Sequence, residues 1–271
     1  MAYTFEPGKL YRMPTHFGPA PGPRQLPEEL RGDPRQSPKR LSISASFLTD
    51  RDKLESHVPP RFRVGLEPVV TVDVHYLTDI DWLAGRGYAM IQVSWPVIYS
   101  GRDGEVSGRL LAVMWENLAE PIVTGRDEIG HPKLFADIIE PQTSGARMSY
   151  AASAFGFSFL DVEVTELEEC AVSRARGGGT LMLKYVPRVG DWGAHELCQV
   201  TLTPPDDPYR TELSRQTGYS RVRFRQARWA DLPTMAHVVN ALAALPVLEQ
   251  RAGTVVRSVG GKDYRDQQII G

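Results

Sequence analysis

Cysteine is nearly missing from this chain: it has two, Cys170 and Cys198, set far apart and in no metal-ligand spacing. They read as two buried free thiols rather than a disulfide. Histidine is also sparse, and none of the six makes an i, i+4 pair with an acid between, so neither a protein-bound metal nor any cofactor is expected. An apolar run of about 18 residues is lacking. The opening stretch, MAYTFEPGKLYRMPTHF, has none of the basic-then-apolar build of an export signal. Together these absences predict a soluble, cytoplasmic protein with no membrane partner. Excess charge is missing too: 31 Lys and Arg face 33 Asp and Glu, without a long block of either sign. That balance argues against a dedicated nucleic-acid or membrane-surface protein. There is no internal repeat at solenoid or propeller period.

Proline is plentiful, and it is concentrated at the start. Pro7, Pro14, Pro19, Pro21, Pro23, Pro27, Pro34 and Pro38 leave residues 1–39 unable to form a regular helix or a central strand. Solvent linkers rarely carry aromatics, whereas this arm holds Tyr3, Phe5, Tyr11 and Phe17. It is therefore expected to pack on its own domain or on a second subunit. Residues 40–271 then read as one domain, with a 42% hydrophobic overall content that suffices for a sizeable core.

In that domain, period-two alternation dominates. Residues 41–48 form one strand, and Thr49 to Asp52 offer a capping box for a short helix that ends near Pro59. Val69 to Leu77 form a second strand, with Val70, Val72, Val74 and Tyr76 on one face and Thr71, Asp73 and His75 on the other. Residues 88–100 and 109–116 are strands around an Asp103-Gly104 hairpin. Residues 118–129 read as a short helix interrupted at Gly125. Further strands are expected at 147–153, 155–168, 180–186, 196–202, 220–226 and 247–259. The triple glycine at 177–179 reads as a hairpin tip rather than a phosphate loop, because no lysine and Ser/Thr follow it. One late helix is expected over 232–245, capped by Asp231 and closed by Pro246. Many short strands with few helices imply a mainly β (α+β) fold of antiparallel, barrel-like sheets.

The chemistry concentrates in GRDEIGHPKLFADII, residues 125–139. Lys133 follows a proline and is surrounded by apolar sequence. Desolvation disfavours an ammonium, so burial here would lower the lysine pKa, and a free amine can attack a carbonyl to form an imine. The ordinary alternative is a lysine whose stem lies on apolar surface with its charge in water.

The run Gly125-Arg126-Asp127, four residues, then Pro132-Lys133 resembles the signature of the acetoacetate decarboxylase family, whose lysine in a G-R-E-x-x-x-x-P-K run forms a Schiff base; that family is the stock example of a lysine activated by its surroundings. The resemblance implies an antiparallel, barrel-like fold and a lyase acting on a small keto acid in a homo-oligomer. It implies catalytic roles for Lys133, for Arg40 in the strand that precedes the Thr49-Asp50 helix, and for Asp73 in the next paired strand. Two positions depart from the family pattern: Leu134 stands where a second lysine would follow, and Met90 stands at the place of a strand glutamate. With no second lysine, apolar burial and some other cation must lower the pKa of Lys133. Without the two residues the decarboxylation pattern is incomplete, and superfamily members that condense pyruvate with an aldehyde through the same imine are an alternative. Met90, Glu116 and His131 complete the candidate substrate-binding set. Glu116 reads either as a helix-start carboxylate or as a pocket acid, and His131 as a packing residue or a proton carrier. A non-catalytic barrel that binds small carboxylates is the remaining reading.

Overall fold

The computed structural model describes residues 4–171 and 178–271. In chain order their strands are β1 (Lys39–Leu48), β2 (Phe62–Val64), β3 (Val69–Thr78), β4 (Tyr88–Gly101), β5 (Gly104–Glu116), β6 (Lys133–Phe135), β7 (Asp137–Ile138) and β8 (Gln142–Ser144). There follow β9 (Arg147–Ala154), β10 (Phe157–Glu169), β11 (Gly179–Pro187), β12 (His195–Thr203), β13 (Thr211–Phe224), β14 (Glu249–Gln250), β15 (Ala252–Val259) and β16 (Gln268–Ile269). The α-helices α1 (Arg51–Glu55), α2 (Ala119–Thr124) and α3 (Ala236–Ala243) are short. The fold is mainly β, as expected.

All the strands belong to one mixed sheet, with main order β16-β12-β11-β5-β4-β3-β1-β15-β13-β10-β9-β7. Most pairs are antiparallel, but β6 and β11 each lie parallel to β5. Five strands separate β5 from β10 in this order, yet the Trp115 and Phe159 rings lie 5.2 Å apart. The sheet therefore folds over on itself, and one face becomes a continuous core. Val70, Val72, Val74, Ile91, Val93 and Trp115 point into it at 2% exposure or less. The alternate residues of the same strands, among them Leu77, Met90, Leu111 and Met114, form a second and smaller apolar cluster on the opposite face. Period-two alternation thus separates the core from the site.

Several expectations are corrected. The late helix is only Ala236–Ala243, because the Asp231 carboxylate is occupied by the backbone and guanidinium of Arg228 and cannot cap it. Strand β13 begins at Thr211, well before residue 220. Its first half, TELSRQTGY, is polar and half-exposed, and Gly218 lies where an added Cβ would meet the backbone of Thr165 and Glu166. The cap of α1 is Asp50, which accepts from Lys53 N at 2.9 Å. The 247–259 strand is interrupted at Arg251.

Of the triple glycine, Gly177 lies outside the described residues. Gly179 opens β11, and β10 and β11 are not neighbours in the sheet, so they do not form the expected hairpin. A Cβ at Gly178 would lie 2.9 Å from the Gly108 Cα, a backbone approach that requires glycine. The cysteines are free but not buried: Cys198 is exposed and Cys170 half-buried. The proline-rich arm packs on its own chain through Arg12, Arg24, Gly32 and Ser37.

Candidate active site

Lys133 opens β6, whose parallel register against β5 sets Lys133 opposite Met114 and Phe135 opposite Glu116. Helix α2 runs into a single π-helical turn, Gly125–Ile129, which ends with Gly130 in the left-handed region at φ 76°. This turn brings the chain back toward β5, where His131 N donates to Gly125 O at 3.0 Å and Met114 N to Pro132 O at 3.0 Å. Arg126 clamps the backbone by donating to Lys133 O at 2.7 Å. The lysine side chain lies across Gly125, where a Cβ would come within 2.5 Å of Nζ. Glycine is needed here because the amine occupies the space of a side chain.

Lys133 is 6% exposed. Its Nζ donates to Pro121 O at 2.8 Å and sits 2.8 Å from Glu116 Oε1. Glu116 is wholly buried, and its Oε2 accepts no hydrogen bond among the described residues. Burial lowers the Lys133 pKa and the Arg24 guanidinium lowers it further, against the attraction and hydrogen bond of Glu116. Burial likewise raises the pKa of Glu116, against Lys133. Desolvation thus pushes both partners toward the same state, in which amine and carboxylic acid are neutral. That state is a nucleophile beside a proton donor.

A cavity of about 640 Å³ opens in front of the amine. One wall is apolar, made of Leu77, Ile80, Trp82, Tyr88, Met90 and Met114; the rest carries the cations Arg24, Arg31, Arg40, Lys262 and Arg265 and the carboxylates Asp81, Asp263 and Asp266. The arm closes one side with Pro23, Arg24, Leu26 and Arg31. Arg40 Nε is buried with no hydrogen-bond partner among the described residues. His131 also lines the cavity, with Nδ1 buried and without a partner among the described residues and its ring 6.0 Å from that of Tyr264. Burial, then Lys133 and Arg24, holds the His131 pKa well below its usual value.

Of the six predicted site residues, Lys133, Arg40, Met90 and His131 line this cavity, and Glu116 touches the amine from behind. Glu116 is outside the cavity lining and pairs with the lysine instead. Asp73 is the correction. It lies on the predicted face, in the row Ser44–Asp73–Gln92–Met114–Lys133 that the strand registers define. Three strand steps separate it from the lysine along that row, and it is not part of the cavity wall. Its neighbours are Ser44, Arg109 and Arg210, and burial raises its pKa. The reading of the sequence missed Arg24, Gln92, Tyr88 and Tyr264. Gln92 could have been found two residues from Met90 on the same strand face, whereas no pattern marks Arg24 among the arm's prolines.

The sequence profile of the acetoacetate decarboxylase family matches residues 12–259. This chain belongs to that family. Membership makes it a relative of lyases, and the solved structures it is similar to agree on the fold. An acetoacetate decarboxylase superposes with a TM-score of 0.68 at 17% identity, over 89% of this chain and 90% of the other. The acetoacetate decarboxylase from Legionella pneumophila subsp. pneumophila str. Philadelphia 1 gives 0.66 at 16% identity, over 86% and 87%. The enduracididine biosynthesis enzyme MppR complexed with pyruvate gives 0.63 at 16%, over 86% and 89%. No curated protein matches the sequence. Among the described residues no group of acidic, histidine or cysteine side chains could hold a metal ion, and no helix is long and apolar enough to cross a membrane.

Proposed function

We propose that this family member is a Schiff-base lyase that takes a small keto acid onto Lys133 and decarboxylates it. The observation that carries the reading is the buried amine set 2.8 Å from the fully buried Glu116. Neutral Lys133 adds to the ketone carbonyl of the substrate. The resulting carbinolamine loses its hydroxyl as water, with the proton supplied by the Glu116 carboxyl, and leaves a protonated imine. In a β-keto acid the bond to the carboxylate then breaks, carbon dioxide leaves, and the electron pair moves into the enamine. Protonation on carbon and addition of water return the ketone and the free lysine. Arg40, half-buried with its Nε shielded from water and lining the cavity, is suited to hold the substrate carboxylate until that bond breaks.

A second reading has its own support. The cavity, at about 640 Å³ with a wall of Tyr88, Trp82 and two methionines, is larger than a small keto acid needs. Met90 contributes no carboxylate opposite Arg40. An imine of pyruvate retained by Arg40 would then act as an enamine toward an aldehyde lodged against the apolar wall, and water would be lost after the new carbon–carbon bond forms. Two incubations separate the readings. Acetoacetate alone is expected to release carbon dioxide with wild-type protein and not with Lys133→Ala. If acetoacetate is inert and pyruvate with an aromatic aldehyde yields a conjugated product, the decarboxylase reading fails and the aldolase-dehydratase reading replaces it. If neither reacts, the site is a binding site for small carboxylates.

A further inference from the structure

The second cation that Leu134 fails to supply is present, on a distant part of the chain. Arg24 lies in the proline-rich arm and is 9% exposed, and its guanidinium reaches Thr124 O at 3.4 Å, at the end of the helix whose Pro121 O accepts from the Lys133 amine. Both cations therefore dock on carbonyls of α2, and both line the same cavity. Arg24 Nε is held at 2.5 Å from Glu128 Oε2, while Arg12 Nε is 2.9 Å from Glu128 Oε1. Two guanidiniums thus share one carboxylate that is 8% exposed. The cluster keeps a net positive charge in a place with little water to screen it. Arg265 donates to Arg24 O and Arg24 donates to Asp263 O at 3.0 Å, which fixes the arm at this point.

We infer that Arg24 is a positioning residue for the nucleophile: the arm fixes a cation on the carbonyls of the same helix and in the wall of the same cavity as the Lys133 amine, and the one carboxylate that it shares with Arg12 sets how strongly that cation acts. The inference deepens the Schiff-base reading, since it concerns the same lysine, but its test needs no keto acid. The other charged or titratable groups around the amine are Glu116 from β5, Tyr88 from β4, Arg40 from β1, and His131 and Arg126 from its own run. The C-terminal segment adds Lys262, Asp263, Tyr264, Arg265 and Asp266, the arm adds Arg31, and Asp81 and Tyr209 complete the cavity wall. Arg24→Gln and Glu128→Gln leave all of these in place. They break the same ion pair from opposite ends, so a merely structural role moves them alike, whereas an electrostatic role moves them in opposite directions.

The experiment is competitive acetylation of the intact chain with trace acetic anhydride across pH, with labelling of Lys133 read by peptide mass spectrometry. Removing the positive charge in Arg24→Gln is expected to move the Lys133 midpoint to higher pH, and to cut labelling at neutral pH. Removing the negative charge in Glu128→Gln is expected to move it to lower pH. Arg24→Lys keeps the charge and is expected to follow wild type. Should Arg24→Gln loosen the arm, the Glu128→Gln and Arg24→Lys arms still decide. Shifts of the same sign in the two Gln variants, or no shift in either, overturn the inference. Opposite shifts combined with no imine formation would sink the lyase reading and leave this one standing.

Discussion

The Lys133 amine and the Glu116 carboxylate meet at 2.8 Å with 7% and 0% of their side chains open to solvent. A buried ion pair of this kind is weak evidence for stability, because desolvation consumes most of the Coulombic gain. Its value here is chemical, since the pair can hold its proton on either partner.

Glu116→Gln is the isosteric test of that role. The amide cannot carry the proton that the carbinolamine hydroxyl needs, and the loss of the negative charge lets the Lys133 pKa fall further. Acetylation of Lys133 at a fixed neutral pH should therefore rise, while the rate of imine formation falls by about a hundredfold. Rapid-mixing absorbance with an aromatic keto acid, beside the labelling assay, reads the two rates. A parallel fall in both would make Glu116 a scaffold residue only.

Lys133→Met removes the cation and keeps most of the volume, leaving Glu116 buried without a counter-charge. Burial raises the Glu116 pKa in the folded chain above its unfolded value. The folded state then keeps its proton where the unfolded state has lost it, so stability is full in acid and declines as pH rises through the folded value. At neutral pH the single substitution is expected to cost about 3 kcal/mol. Adding Glu116→Met should recover most of that. Urea denaturation at acid and neutral pH measures both; a pH-independent loss would contradict the assignment.

Gly125→Ala tests the contact between backbone and nucleophile. The new methyl group would lie within 2.5 Å of Lys133 Nζ, and the end of a lysine is free to move away. The fold should survive, because Gly125 is helical with φ −70° and alanine suits that conformation. The amine would leave Glu116 and Pro121 O, so imine formation should fall by about a hundredfold or more with little change in melting temperature. Retained activity would place the working amine elsewhere.

His75 and His131 are held neutral by burial, each further opposed by nearby cations. Their pKa values in the fold lie well below the ordinary 6.5, so the unfolded chain takes up protons first as pH falls. Their contribution to stability is complete above that value and is lost on acidification toward the folded values. The melting temperature should fall from pH 7 to pH 5, and His131→Gln should flatten part of that slope. An unchanged slope would mean that His131 is not kept neutral.

Much of this arrangement was legible in the sequence wherever local pattern decides structure. The face assignment of Asp73 and His75, the hairpin at Gly104 and the break at Gly125 follow from alternation and from glycine's freedom. The G-R-D…P-K run located the amine. What escaped depends on long-range pairing. Asp73 was on the correct face but three strands away, because register tells which side a residue takes and not how far it lies along the sheet. Arg24 is more than a hundred residues from Lys133 in the chain, and nothing local marks it. Glu116 was undecided because a carboxylate at a strand end looks the same before a helix or behind a lysine; the parallel pairing of β6 with β5 decides it.

The most direct test of the account is borohydride reduction in the presence of acetoacetate or pyruvate, followed by peptide mass mapping. The account predicts a reduced adduct on the peptide that carries Lys133, formed at neutral pH and absent in Lys133→Ala. No adduct with either keto acid, or an adduct that persists in Lys133→Ala, would contradict it.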